Sequence, residues 1–280
     1  MDIDNGGLTF QLKDQNLFKQ QCFIDGEWVN SDNGNTFDVY NPSDLTLVGS
    51  MPNCSKSDTI KAIVAANNSW GAWKKLTGKD RSIIIRKWHE LILENIDDLA
   101  LIMTLENGKP IADSRGEIIY ASWFTDWFSE EAKRTYGKTI PSTMADRRMM
   151  SIKQPIGVCG IITPWNFPAA MITRKIAPAL AAGCPVVIKP AGSTPFSATA
   201  LVELAHRAGV PKGVINLISV SEENVSEVGD ELCTNKHVRK ISFTGSTNVG
   251  RALIAKAAST IKKVSMELGG HAPLIIFEDA

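Results

Sequence analysis

Four short stretches gather residue types that chemistry uses, each where an apolar run gives way to a turn. Thr163-Pro164-Trp165-Asn166-Phe167-Pro168 follows the apolar run 156–162 and sets a neutral amide, Asn166, just before Pro168, which the sequence marks as a helix start. A helix N-terminus carries partial positive charge and free N–H groups, so this turn suits an anion or a developing oxyanion. Lys189-Pro190-Ala191-Gly192-Ser193-Thr194-Pro195 ends the next apolar run with a lysine that suits the hydroxyls or phosphate of a nucleotide; a solvated loop lysine is the plainer reading. Phe243-Thr244-Gly245-Ser246 puts a glycine where backbone can approach a phosphate, with a hydroxyl at the next helix start. It lacks the GxGxxG form and is weak evidence alone. Met266-Glu267-Leu268-Gly269-Gly270 sets a carboxylate at an apolar strand end, a candidate general base that in isolation reads as a salt-bridged surface Glu.

The elements that must position these stretches follow a regular period after Pro155. Strands are expected near 156–162, 185–189, 214–218, 239–243, 263–265 and 272–277, and helices near 168–182, 194–208, 224–233 and 246–259. That alternation predicts an α/β fold, a doubly wound parallel sheet covered on both faces. Such sheets bind ligands outside the carboxyl ends of their strands, where all four stretches fall. In the second helix Thr194 reads as the N-cap and Pro195 as the first helical residue, with Phe196, Ala200, Leu204 and Ala208 on one face.

Upstream, residues 1–20 read as a poorly ordered lead-in, and 23–29 as a hairpin around Asp25-Gly26. A short strand is expected at 47–49. A helix capped by Ser57 or Asp58 follows, its apolar residues Ile60, Val64, Ala65, Trp70 and Trp73 at helical spacing. One long helix is expected over 79–106, stopped by Asn107-Gly108-Lys109-Pro110, and another over 112–135 whose Trp123, Phe124, Trp127 and Phe128 read as core. Residues 137–141 and 148–154 read as a hairpin, either an ordinary surface feature or one that protrudes to pair with another subunit. The expected division is a lead-in (1–20), an N-terminal part of hairpin plus helices (21–135), the hairpin (136–155), an α/β core (156–270) and the start of a further domain (271–280).

Composition narrows the classes. Thirty basic residues balance thirty acidic ones, which leaves no global field toward nucleic acid or a membrane surface. No apolar run approaches a membrane span and the start carries no targeting pattern, so the expected location is cytoplasmic. Five scattered cysteines without CxxC, and four isolated histidines, disfavour a disulfide framework and a metal site.

Together, TPWNFP, KPAGSTP, FTGS and MELGG, in this order and at these separations, resemble the aldehyde dehydrogenase superfamily over nearly the whole chain. The run 170–175, AMITRK, with ISFTGST and VSMELGG, is most similar to the succinate-semialdehyde dehydrogenases. The resemblance implies NAD(P)-dependent oxidation of an aldehyde to an acid, succinate semialdehyde to succinate, through a thiohemiacetal and a thioester. It gives Asn166 the oxyanion and Glu267 the hydrolytic water. Thr163, Pro164, Trp165, Lys189, Ala191, Gly192, Gly245, Ser246, Val249 and Leu268 would hold NADP or NAD. Arg174 would pair with the distal carboxylate of the substrate, the alternative being a surface cap or bridge. The complete enzyme is expected as a homodimer or homotetramer.

Two departures stand out. Gly192 occupies a position where many NAD-preferring relatives carry Glu, which favours NADP; His271 stands where Asn is common and has no physical account. The family's nucleophilic cysteine lies downstream of the Glu, and no cysteine follows Cys233. The chain is therefore expected to be a dinucleotide-binding half lacking its catalytic domain, inactive alone. The competing class is a non-catalytic nucleotide-binding fragment.

Overall fold

The computed structural model describes residues 3–5 and 8–280, with side chains from Gln11 onward. Positions 1, 2, 6 and 7 of the expected lead-in lie outside the described residues. β1 (Ile3–Asn5) and β2 (Leu8–Phe10) pair antiparallel. Residues 11–20 are not a loose lead-in: Leu17 is fully buried, and Asp98 accepts the N–H groups of Lys13 and Asp14.

β3 (Cys22–Ile24) and β4 (Glu27–Val29) form the expected hairpin, with Asp25 and Gly26 both at positive φ as its tight turn requires. β5 (Thr36–Tyr40) and β6 (Leu47–Pro52) form a second hairpin of which only residues 47–49 were legible. α1 (Lys56–Trp73) begins earlier than expected, because Ser55 and Asp58 make a capping box. Its buried side is Ala62, Ile63, Ala66 and Trp73, while Ile60 and Val64 face outward. The single helix expected over 79–106 is two, α2 (Gly78–Glu94) and α3 (Ile96–Asn107). Asn95 breaks it with non-helical dihedrals, its side-chain amide donating to the Leu91 carbonyl. On α4 (Ile111–Glu131) the aromatic stripe splits: Phe124 and Phe128 pack on the core, but Trp123 and Trp127 are exposed. β7 (Lys138–Ile140) and β8 (Met149–Ser151) form the expected hairpin, exposed throughout.

The core continues with β9 (Val158–Ile162), α5 (Ala170–Ala181), β10 (Val186–Lys189), α6 (Phe196–Arg207), β11 (Ile215–Leu217), α7 (Val225–Thr234), β12 (Val238–Thr244), α8 (Thr247–Ala258) and β13 (Lys263–Glu267). The seven-stranded sheet runs β13-β12-β9-β10-β11-β3-β4, with the first five strands parallel, β3 antiparallel to them and β4 antiparallel to β3. Alternate residues of each strand feed opposite faces. Cys159, Ile161, Val186 and Ile188 pack with α2 to α6, while Val158, Ile162, Val187 and Ile241 pack with α1, α7 and α8. The chain steps outward from β9 to β10 and β11, then crosses back to β12 and β13. The topological switch point therefore lies between β9 and β12.

The strand expected at 272–277 is absent. Pro273 lacks an N–H, and Leu274–Phe277 stand exposed with no neighbouring strand among the described residues to pair with. No described helix is long and apolar enough to cross a membrane.

Candidate functional site

At the switch point a cleft of about 1030 Å³ opens beyond the carboxyl ends of β9, β10 and β12. Thr163, Pro164, Trp165, Lys189, Ala191, Gly192, Gly245, Ser246 and Val249 all line it. Leu268 does not: it packs against the core cluster that includes Leu253. The sequence reading missed Phe37 and Tyr40 on β5 and Val220 and Ser221 after β11, which complete the rim. No local signal marks them, since β5 reaches the cleft only through its tertiary position.

Lys189 is the most constrained group here. It is 7% exposed, and its ammonium has no hydrogen bond or ion pair among the described residues. Burial alone pushes it down to about 8. The solvated-loop reading of this lysine is thus wrong. The hydroxyl of Thr163 is likewise buried without a partner, and the Thr163 N–H donates to the Lys189 carbonyl at 3.2 Å. An unpaired cation and an orphaned hydroxyl at one cleft fit a ligand rich in hydroxyls or phosphate. At Gly245 a Cβ would fall 2.5 Å from the Phe243 ring, so the turn admits no side chain without moving that ring. Ser246 is the N-cap of α8, its hydroxyl accepting the Val249 N–H at 3.3 Å.

The other two helix starts differ from expectation. α5 begins at Ala170, not Pro168, and the N–H groups of Ala169 and Ala170 are taken by Glu117 Oε1 at 2.9 and 3.2 Å. α6 begins at Phe196 with Pro195 as N-cap, and the N–H groups of Phe196 and Ser197 donate to the Glu106 carboxylate at 2.6 and 2.8 Å. Buried helix ends need acceptors, and water cannot reach these. Two internal glutamates fill them, which leaves neither end free for an external anion. Thr194, expected as a cap, has a buried hydroxyl with no partner. Burial pushes Glu106 up to about 8, against the pull of its N–H donors. Glu106, Asn107, Lys109 and Glu117 were visible in the sequence only as a helix end and a helix surface.

A second cleft, of about 410 Å³, shares Thr244 with the first and holds Arg174, Lys175 and Glu267. Arg174 is half-buried, its guanidinium bonded to the Tyr120 hydroxyl and 4.8 Å from the Phe124 ring centroid. It has no carboxylate partner among the described residues, so it is neither a helix cap nor a surface bridge. Lys175 donates to the Ser242 hydroxyl at 3.0 Å and is pushed down to about 8, chiefly by burial. Glu267 closes β13 opposite Thr244; its side chain is exposed rather than enclosed in apolar surroundings. Asn166 is exposed and lines neither cleft. Cys159 and Cys184 border the far end of this cleft, at the amino ends of β9 and β10, and all five cysteines are free and buried.

Comparison with known proteins matches residues 28–280 to the aldehyde dehydrogenase family. A glutarate-semialdehyde dehydrogenase of Pseudomonas putida is 57% identical over 270 residues, covering 96% of this chain and 56% of the relative. The NADP-linked succinate-semialdehyde dehydrogenase of Escherichia coli is also 57% identical, over 96% of this chain and 55% of its own length. The crystal structure of an E. coli NADP-dependent enzyme superposes with a TM-score of 0.92, covering 94% of this chain and 54% of that one. A betaine aldehyde dehydrogenase from Staphylococcus aureus, solved with NAD+, gives 0.89 at 37% identity, over 94% of this chain and 52% of that one. The chain spans about half the length of the curated relatives it matches.

Proposed function

Since the chain belongs to the aldehyde dehydrogenase family, we propose that the larger cleft binds NADP or NAD, with NADP favoured. The chain thereby serves oxidation of a small aldehyde carrying a distal carboxylate, succinate semialdehyde before glutarate semialdehyde. One observation carries this reading: the unpaired ammonium of a largely buried lysine, an orphaned hydroxyl and a glycine turn meet at the switch point, beside a cation-bearing cleft that shares Thr244.

A bound dinucleotide would supply the hydride acceptor. Lys189 and Thr163 would meet its hydroxyls or phosphate, Gly245 and Ser246 would admit the pyrophosphate, and Val249 would flank the adenine side. Gly192 leaves the rim without a carboxylate that would repel a 2′-phosphate. Asn166 donates its amide to the substrate oxygen as negative charge develops there. Glu267 takes a proton from the hydrolytic water, and Arg174, unneutralised by any described carboxylate, holds the distal carboxylate of the substrate.

The covalent step needs an accessible thiol, and all five cysteines are buried; Cys159 and Cys184 border the same cleft as Glu267 but at the opposite, amino ends of the strands. That observation favours a second reading, a chain that binds nucleotide but catalyses only with residues it does not itself contain. The complete enzyme is then a homodimer or homotetramer, with the exposed β7–β8 hairpin as a subunit contact. Purified chain mixed with succinate semialdehyde and NADP, followed by NADPH absorbance alongside calorimetric binding, tests both. The expected result is dinucleotide binding without turnover. Failure to bind either dinucleotide overturns the cleft assignment, and NADPH formation overturns the second reading.

A further inference from the structure

Asn107 at the end of α3, Lys109 in the turn joining α3 to α4, and Glu117 on α4 grip the loop 165–170 from outside the cleft. The Asn107 side-chain amide donates to the Trp165 carbonyl at 2.8 Å. Lys109 Nζ donates to the Asn166 carbonyl at 3.0 Å, stands 4.2 Å from the Phe167 ring centroid and pairs with Glu117 Oε2. Glu117 Oε1 takes the N–H groups of Ala169 and Ala170. Gly108, at φ +74, reverses the chain between Asn107 and Lys109 so that both reach the same loop. Every residue from Trp165 to Ala170 except Pro168 is therefore held by one of three side chains on a single helical corner.

Apolar packing holds only the end of this loop, where Ala169 and Ala170 join the core. Trp165, Asn166 and Phe167 are exposed, so in that half little buried surface opposes the entropy of an open loop. The grip itself is enclosed: the side chains of Lys109 and Glu117 are 16% and 1% exposed. A charge pair shielded from water keeps its strength, and its carboxylate is oriented by two further N–H donors. We propose that Asn107, Lys109 and Glu117 are positioning residues that fix the Trp165–Asn166 backbone, setting both a wall of the dinucleotide cleft and the Asn166 amide. The proposal rests on the reading of that cleft given above.

The test measures NADP affinity by calorimetry, thermal unfolding, and amide exchange of residues 163–170 without ligand. Asn107→Asp keeps the shape but removes the donor; Lys109→Met removes the cation, and Lys109→Arg is the conservative rescue. Asn107→Asp and Lys109→Met are expected to weaken NADP binding about fivefold to tenfold, with faster exchange at 163–170; the unfolding midpoint stays close to wild type in Asn107→Asp and falls in Lys109→Met, which strands the Glu117 carboxylate. Lys109→Arg is expected to restore most of both. If Lys109→Met fails to fold, Lys109→Met with Glu117→Gln removes the pair without stranding a buried carboxylate. Wild-type affinity with unchanged exchange in these variants overturns the proposal. If the wild-type chain binds no NADP, the cleft assignment falls separately, and exchange at Ala169 and Ala170 decides alone: unchanged protection overturns the grip, accelerated exchange supports it.

Discussion

The N–H of Gly245 donates to the carbonyl of Glu267 at 3.1 Å. This bond extends the β12–β13 ladder by one step beyond the Thr244–Glu267 pair. It ties the glycine turn of the larger cleft to the residue proposed to activate water. Gly245→Ala tests the coupling. The added methyl meets the buried Phe243 ring, and we expect a stability loss of about 1–3 kcal/mol in urea unfolding. NADP affinity should fall with it; retention of both contradicts the tight fit.

Gly192→Glu addresses cofactor choice. A Cβ there would lie 3.0 Å from the Val220 carbonyl and 3.7 Å from the Phe37 ring, so small local adjustment admits a carboxylate. Like-charge repulsion should weaken NADP binding at least about tenfold relative to NAD. Calorimetric titration with both dinucleotides measures the ratio, and an unchanged ratio refutes the assigned role of Gly192.

Lys189→Met should have opposite effects on binding and stability. Below about 8 the buried Lys189 is charged and unpaired, which burdens the ligand-free fold. The folded-state value lies below the ordinary lysine value of 10.5, so this burden is relieved as pH rises through that window. We expect the variant to be more stable at neutral pH, on the order of 1–3 kcal/mol, yet to bind NADP far more weakly. Wild-type affinity should decline above about pH 8 while the weak affinity of the variant stays flat.

Glu106→Gln probes the cap of α6. The folded value of Glu106, about 8, stands above its ordinary 4.5, so its stabilising contribution is complete below the ordinary value and is lost as pH rises toward 8. Wild-type stability should therefore fall by a few kcal/mol, in order of magnitude, between about pH 5 and about pH 8.5. In the Gln variant that slope should flatten. Parallel slopes in chemical denaturation at the two pH values contradict a protonated, capping Glu106.

Local order in the chain determined much of this protein. Apolar runs near 156–162, 185–189 and 239–243, each followed by a turn and a helix, dictate a parallel sheet, and turn residues beyond strand ends dictate a rim where Lys189 and Gly245 meet. Periodicity and turn chemistry act over a few residues, so they are written in the sequence. Contacts between residues far apart are not. Only the tertiary structure decided that Glu117 would fill the start of α5 and Glu106 that of α6, because a glutamate on a helix looks the same whether it meets water or a distant N–H. The same holds for Phe37 at the cleft and for Asn95, whose local amide bond broke an otherwise continuous helical pattern. The apolar run 274–277 reads as a strand by composition, yet a strand exists only where a neighbour supplies hydrogen-bond partners, and none of the described residues does.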